Sequence, residues 1–197
     1  MAKCLGITGG IGAGKTTISR IFQSLGVPVF DADAEAKDSY NDAEVQKNIT
    51  LTFGEGIFID QKLQPKILAA KVFAFPDQLK KPEAIIHPLV HERWEKFAQL
   101  HSEIPYIIRE NAILIQSGGH LTCDKVLLIT APLEDRIARV MSRSKLSREA
   151  IEDRIQHQWS DEQLLPFGHF VIENKHNPSP DEALIPQVIQ MDKWMKS

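Results

Sequence analysis

The octapeptide Gly9-Gly-Ile-Gly-Ala-Gly-Lys-Thr16 constrains the fold more than any other part of this 197-residue chain. A glycine, four residues and then Gly-Lys-Thr lets the backbone wrap tightly enough for successive N–H groups to face one anion. The wrap needs a strand leading in and a helix leading out, because the helix N-terminus adds its dipole and its free amides. Both neighbours carry the required pattern. Lys3–Thr8 is short and mostly apolar, as a buried parallel strand should be. From Thr16 to Leu25 the apolar positions Ile18, Ile21, Phe22 and Leu25 recur at helical spacing, and Gly26 ends the run. Val27–Phe30 reads as a second strand ending at Asp31-Ala-Asp33, so the first 30 residues make a βαβ unit and imply a parallel sheet.

Three further strands are expected at Ile104–Arg109, Lys125–Thr130 and Phe170–Ile172. Five strands separated by helices describe an α/β fold with a doubly wound parallel sheet. Between the second and third strands, residues 34–100 are rich in Lys, Glu, Gln and Asp. Helical patterning covers Ala43–Phe53 and Ile67–Phe75, with a Gly54-Glu-Gly56 break between them. The helical region Asp77–Leu100 should be interrupted at His87-Pro88, since proline lacks a donor and constrains its predecessor. After Pro132 an amphipathic helix should run through Arg143, and a second, capped by Ser147, towards Leu164. Ser179-Pro180-Asp181-Glu182 pairs a capping box with proline at the first helical position, opening a C-terminal helix. The expected organisation is a single domain: a core of residues 1–33 and 102–197, a helical insertion over 34–101, and a helical lid over 140–163.

Lys and Arg total 23 against 26 Asp and Glu, a net charge of −3 that offers no general attraction to nucleic acid or to an anionic membrane. No apolar run approaches the ~18 residues that span a bilayer. No charged N-terminal region precedes an apolar signal core either, so the expected setting is the cytoplasm. Cys4 and Cys123 lack the spacing of a zinc site or disulfide framework and are expected as buried, reduced thiols. Nothing in the pattern speaks to oligomeric state, and a monomer is the default.

The motif implies binding of a nucleoside triphosphate through Gly10, Ile11, Gly12, Ala13, Gly14, Lys15, Thr16 and Thr17, with Lys15 reaching the β- and γ-phosphates and the Thr16 hydroxyl able to bind Mg²⁺. Two absences argue against a GTPase. No Asp-x-x-Gly occurs, and Asn174-Lys-His-Asn177 lacks the aspartate that reads guanine. Asp31 and Asp33 end the second strand, where ligands of open α/β sheets gather, so a carboxylate there can orient an acceptor hydroxyl and take its proton. Either aspartate can instead cap the next helix. Of 8 arginines, 5 (Arg136, Arg139, Arg143, Arg148 and Arg154) fall between positions 136 and 154. The first three share one helix face, and the polar joint Ser144-Lys-Leu-Ser147 can act as a hinge for a lid that meets transferred charge. A solvated face paired with Glu134, Asp135, Glu149, Glu152 and Asp153 is the alternative.

In these features the chain resembles the dephospho-coenzyme A kinase family. The likeness lies in LGITGGIGAGKTT (Leu5–Thr17), VPVFDAD (Val27–Asp33), IHPLV (Ile86–Val90) and Ile129–Pro132. It continues through Arg139–Arg143 with Leu146-Ser147, then Arg154-Ile-Gln-His-Gln158 and Val171-Ile-Glu-Asn174, in the family's order. The resemblance implies a P-loop kinase that moves the ATP γ-phosphate to the ribose 3′-hydroxyl of dephospho-coenzyme A, the last step in making coenzyme A. It implies Asp33 as base, Lys15 and Thr16 on phosphates and Mg²⁺, Arg143 over the γ-phosphate with Arg139 nearby, and Asn174 beside the adenine. It also makes the 34–101 insertion the acceptor-binding region, with His87 in its signature; Asp31, from its place at the strand end, is a further candidate for acceptor binding.

Three positions depart from the family pattern. Gln116 stands where glutamate is usual, leaving Glu110 as the nearby carboxylate on the acceptor side. Pro65 replaces an arginine, and Lys175-His-Asn177 replaces a small turn. Two other readings stay open at this stage: another small nucleoside or nucleotide monophosphate kinase, and an ATP-binding regulatory module without transfer.

Overall fold

The computed structural model describes residues 2–73, 81–175 and 180–197. In chain order these form β1 (Lys3–Thr8), α1 (Lys15–Ser24), β2 (Val29–Asp31), α2 (Ala32–Asp38), α3 (Ala43–Phe53), β3 (Phe58–Ile59), β4 (Lys62–Leu63) and α4 (Pro65–Phe73). There follow α5 (Lys81–Leu100), β5 (Tyr106–Glu110), β6 (Lys125–Thr130), α6 (Leu133–Arg143), α7 (Arg148–Gln156), α8 (Asp161–Leu164), β7 (Phe170–Glu173) and α9 (Pro180–Lys196). They divide into two compact units, one of Met1–Asp31 with Leu100–Ser197 and one of Ala32–Gln99.

The first unit is built on a five-stranded sheet in the order β2-β5-β1-β6-β7, parallel throughout. Parallel strands covered on both faces must be apolar on both faces, and β1 is buried at every position after Lys3. Leu127 and Ile129 point into one core with Leu5, Ile7, Ile18 and Phe22, closed by Leu184, Val188 and Met191 of α9. Val126 and Leu128, alternating with them along β6, point to the other face and meet Leu114, Ile115 and Leu164. Helices therefore cover both faces, as a doubly wound sheet requires. The register sets Asp31 of β2 beside Glu110 of β5, and Ile7 of β1 on the other side of Glu110. Two carboxylates thus end adjacent strands at the carboxyl edge of the sheet.

Several element boundaries depart from the sequence reading. The second strand begins at Val29 rather than Val27, because Val27 N–H is taken by the carbonyl of Phe22 and Pro28 has no donor. The third begins at Tyr106 and extends to Glu110. The expected interruption at His87-Pro88 does not occur: α5 runs through Pro88. Its buried stripe Ile86, Val90 and Trp94 recurs every four residues across the proline, and that burial outweighs one lost hydrogen bond. The helix capped by Ser147 stops at Gln156 instead of reaching Leu164. A capping box ends it, with Ser160 Oγ accepting from Gln163 N–H while Gln163 Oε1 accepts from Ser160 N–H, so α8 starts afresh. The expected cap Ser179 and the turn at His176-Asn177 lie outside the described residues. Cys4 is buried as expected, but Cys123 is only half-buried, and its Sγ lies 3.4 Å from that of Cys4.

In the second unit α3 is capped by Asp42, whose carboxylate accepts from the N–H groups of Glu44 and Val45. A two-stranded hairpin, β3–β4, turns through Asp60 and Gln61, both at positive φ. Arg93 of α5 binds Glu35 at 2.8 Å and Asp38 at 3.0 Å on α2.

One buried bond fastens α9 to the sheet of the first unit: Tyr106 Oη donates to Asp192 Oδ1 at 2.7 Å. Burial, then the bond to the Asp192 carboxylate, pushes the phenol well above its ordinary value. Tyr106→Phe leaves Asp192 its ion pair with Lys196 but removes this donor, and it should lower stability by about 1–2 kcal/mol. Urea denaturation checks this; an unchanged midpoint contradicts the assigned role.

Candidate active site

After Thr8 the chain turns through the glycine-rich loop into α1. Gly12 and Gly14 are sterically required. Gly12 has φ 78° and a side chain there would strike the carbonyl of Arg136; Gly14 has φ 108° and a side chain would strike the Asn174 amide. Both are αL-type conformations that favour glycine.

The loop's carbonyls are held from one side. Arg136 Nε donates to Ile11 O at 3.0 Å, Arg139 Nη1 to Gly12 O at 3.3 Å and Ala13 O at 3.4 Å, and Asn174 Nδ2 to Ala13 O at 2.9 Å. Arg139 also donates to Asn174 O at 2.8 Å, which fixes the two donors to each other. In a trans peptide the C=O and the next N–H point in opposite directions. Turning the carbonyls of Ile11, Gly12 and Ala13 towards α6 and Asn174 therefore turns the N–H groups of Gly12, Ala13 and Gly14 the other way. Ala13 N–H closes a turn on Gly10 O at 3.1 Å. Among the described residues, those of Gly12 and Gly14 have no protein acceptor. Lys15 Nζ reaches back to Gly9 O at 2.9 Å and Gly10 O at 3.5 Å, which places its ammonium over the same loop. Free amides, a cation and the start of α1 make an anion cradle.

Next to the cradle is an acidic pair. Glu110 is 4% exposed, and the Thr16 hydroxyl donates to its Oε1 at 3.3 Å. Burial raises the Glu110 carboxyl above its ordinary value, and the negative charge of Asp31 adds to the rise, while Lys15 and the Thr16 bond oppose it. Thr16, Glu110 and Asp31 offer hard oxygen ligands. Among the described residues no group of three or more His, Cys, Asp and Glu side chains could hold a metal without help.

The structure brings Gly10 to Thr17, Asp31, Glu110, Arg139 and Asn174 together in the first unit. Arg143, also in that unit, is exposed at the end of α6 and has no bonded partner among the described residues. Gln116 lies in the turn after β5, with its side-chain oxygen buried and, among the described residues, unbonded. Arg148 follows the solvated alternative: it is exposed, bound to Glu134 at 2.6 Å and Glu152 at 2.7 Å. Asp33 and His87 belong to the second unit, both exposed. Helix α2 begins at Ala32, so Asp33 sits inside its first turn rather than capping it. Two participants escaped the sequence reading. Arg136 is 7% exposed against the loop instead of facing out as a lid residue, and Gln158 Oε1 accepts from Ile11 N–H at 2.8 Å.

Comparison with known proteins agrees with the geometry. A family model described as dephospho-CoA kinase matches residues 3–179. The chain is 36% identical over 192 residues to the dephospho-CoA kinase of Bacteroides fragilis, covering 97% of this chain and 92% of that protein. A crystal structure of a Thermus thermophilus protein superposes with a TM-score of 0.80 at 33% identity, covering 96% of this chain and 97% of that one. The structure of dephospho-CoA kinase from Campylobacter jejuni gives 0.70 at 27% identity, covering 100% and 98%.

The raised Glu110 carboxyl has a measurable consequence. The folded protein binds this proton more tightly than the unfolded chain does. Stability therefore falls as pH rises from the ordinary value of 4.5 to the higher folded one. Glu110→Gln removes that loss, so the variant's gain in stability over the parent should be small at about pH 4 and larger at about pH 8. Thermal unfolding across that range tests it; a difference independent of pH would contradict it.

Proposed function

This chain belongs to the dephospho-CoA kinase family, and we propose that it transfers the γ-phosphate of ATP to the ribose 3′-hydroxyl of dephospho-CoA, yielding CoA and ADP. The observation that carries this reading is the set of inward N–H groups at Gly12 and Gly14 under the Lys15 ammonium, held by carbonyls bonded on the other side. Such a cradle is made for a polyphosphate. It binds and aims the donor without covalent chemistry, which is what phosphoryl transfer asks of a protein.

In this mechanism Gly10–Thr17 hold the β- and γ-phosphates, with Lys15 spanning both. Asn174 and Arg139 support the loop from below, beside the place the resemblance assigns to the adenine. Asp33 orients the 3′-hydroxyl and accepts its proton as the bond to phosphorus forms. Residues 34–101, with His87 and Asp31, hold the rest of the acceptor. Arg143, exposed on the segment 140–163, meets the charge on the transferred group when that segment closes. Mg²⁺, when bound at Thr16 with Glu110 and Asp31 close by, would neutralise charge on the phosphates. Gln116 has no charge to contribute, which leaves that function to Glu110. Among the described residues no helix is long and apolar enough to cross a membrane.

ADP release from Mg–ATP should require dephospho-CoA and should not be supported by AMP or CMP. Turnover confined to AMP or CMP would overturn the assignment. Asp33→Asn should keep ATP binding while losing at least about 100-fold in kcat, the usual scale of general-base catalysis. Unchanged turnover removes Asp33 from the mechanism.

A further inference from the structure

Among the described residues, four side chains outside the loop bond its backbone, and three of them do the same thing. Arg136, Arg139 and Asn174 donate to carbonyls, and all three stand on α6 or directly after β7. Gln158 differs in chemistry and in origin. It accepts from an N–H, at Ile11, and it comes from the joint between α7 and α8, beyond the Ser144–Ser147 connection.

The peptide it holds is the one between Gly10 and Ile11. Its N–H goes to Gln158 at 2.8 Å, so its carbonyl, Gly10 O, must point the opposite way. There Gly10 O accepts from Ala13 N–H at 3.1 Å and faces Lys15 Nζ at 3.5 Å. A peptide plane next to glycine turns about its flanking Cα bonds with little steric resistance. Without an acceptor for Ile11 N–H, this one could turn over, and the Lys15 ammonium would lose a carbonyl that positions it.

The next peptide along is fixed independently, since Ile11 O accepts from the buried Arg136. The Ile11 side chain also packs against Ile137, Val140 and Ile151, with Leu146 and Ile155 alongside. Ile11 is therefore where the α6–α7 hairpin grips the phosphate loop. Asp161, three residues after Gln158, lies 3.7 Å from Arg136 Nη1 and keeps the joint close to the same spot.

We propose that Gln158 is a positioning residue for nucleotide binding: by accepting from Ile11 N–H it locks the Gly10–Ile11 peptide so that Gly10 O faces Lys15. The inference rests on the reading of this loop as the ATP site. It goes beyond that reading by giving the α7–α8 joint control of the loop's conformation.

The test is calorimetric binding of ADP, without any acceptor, to the full chain and to Gln158→Ala and Gln158→Glu, with thermal unfolding and steady-state kinetics alongside. One hydrogen bond of ordinary strength corresponds to about a fivefold change. Gln158→Ala should weaken ADP binding and raise the KM for ATP by about fivefold, while the KM for dephospho-CoA stays as in the parent. Gln158→Glu keeps an acceptor in place and should recover most of the ADP affinity. Two results overturn the proposal: parental ADP affinity in Gln158→Ala, or equal losses in both variants that track a lower melting temperature. Failure of the proposed function appears separately, as normal ADP binding by the parent without turnover on dephospho-CoA. Absence of ADP binding by the parent would remove both.

Discussion

The first unit depends on which way three peptide bonds face. Ile11, Gly12 and Ala13 present their carbonyls to two arginines and an asparagine. Peptide planarity then delivers the opposite edge, N–H outward, to the space under Lys15. The phosphate loop is thus a backbone turned inside out by its neighbours, with glycine supplying the conformations that other residues resist. The sheet register, the start of α6 and the end of β7 converge on holding that turn. Arg136 and Arg139 serve by being charged donors, because a charged donor holds a carbonyl more strongly than a neutral one.

A second constraint is the acidic edge beside the loop. Glu110 and Asp31 are adjacent because β2 and β5 are paired, and Glu110 is buried because β5 is a central strand. A buried carboxyl next to a second carboxylate gains when a cation arrives, since the cation relieves both burial and repulsion. The carboxylate that matters to Thr16 is Glu110, already in contact with its hydroxyl.

Much of this architecture was legible in the sequence where one residue type has one physical use. The glycines and lysine of the loop, the apolar run of β6 and Asp31 at the end of β2 lie where their chemistry put them, whereas Asp33, expected at the same strand end, falls in the first turn of α2. Legibility failed where the outcome depends on a sum of weak terms. Pro88 lies inside α5 because the buried stripe Ile86, Val90 and Trp94 outweighs a single missing donor, and only packing reveals that. The break after Gln156 comes from a capping box, two side-chain bonds that a run of helix-forming residues hides. The β3–β4 turn uses Asp60 and Gln61 at positive φ, without the Asn-Gly or Asp-Gly pair that announces a tight hairpin. Among the arginines, spacing placed Arg136, Arg139 and Arg143 on one helix face, but along that face burial falls steadily. Arg136 is buried, Arg139 half-buried and Arg143 exposed, so the same residue type supports the loop at one end and reaches solvent at the other. Gln158 carried no signal beyond its place in the Arg154–Gln158 stretch, since a glutamine's partner cannot be read from its type.

The central claim is that the loop's inward amides serve transfer to a carbon-bound hydroxyl rather than simple release of phosphate to water. Phosphorus NMR of the products formed from Mg–ATP and dephospho-CoA measures this directly. The account predicts a new phosphate monoester at the ribose 3′-position, formed in equal amount to ADP. ADP accompanied only by inorganic phosphate, or an ester at another hydroxyl, would contradict it.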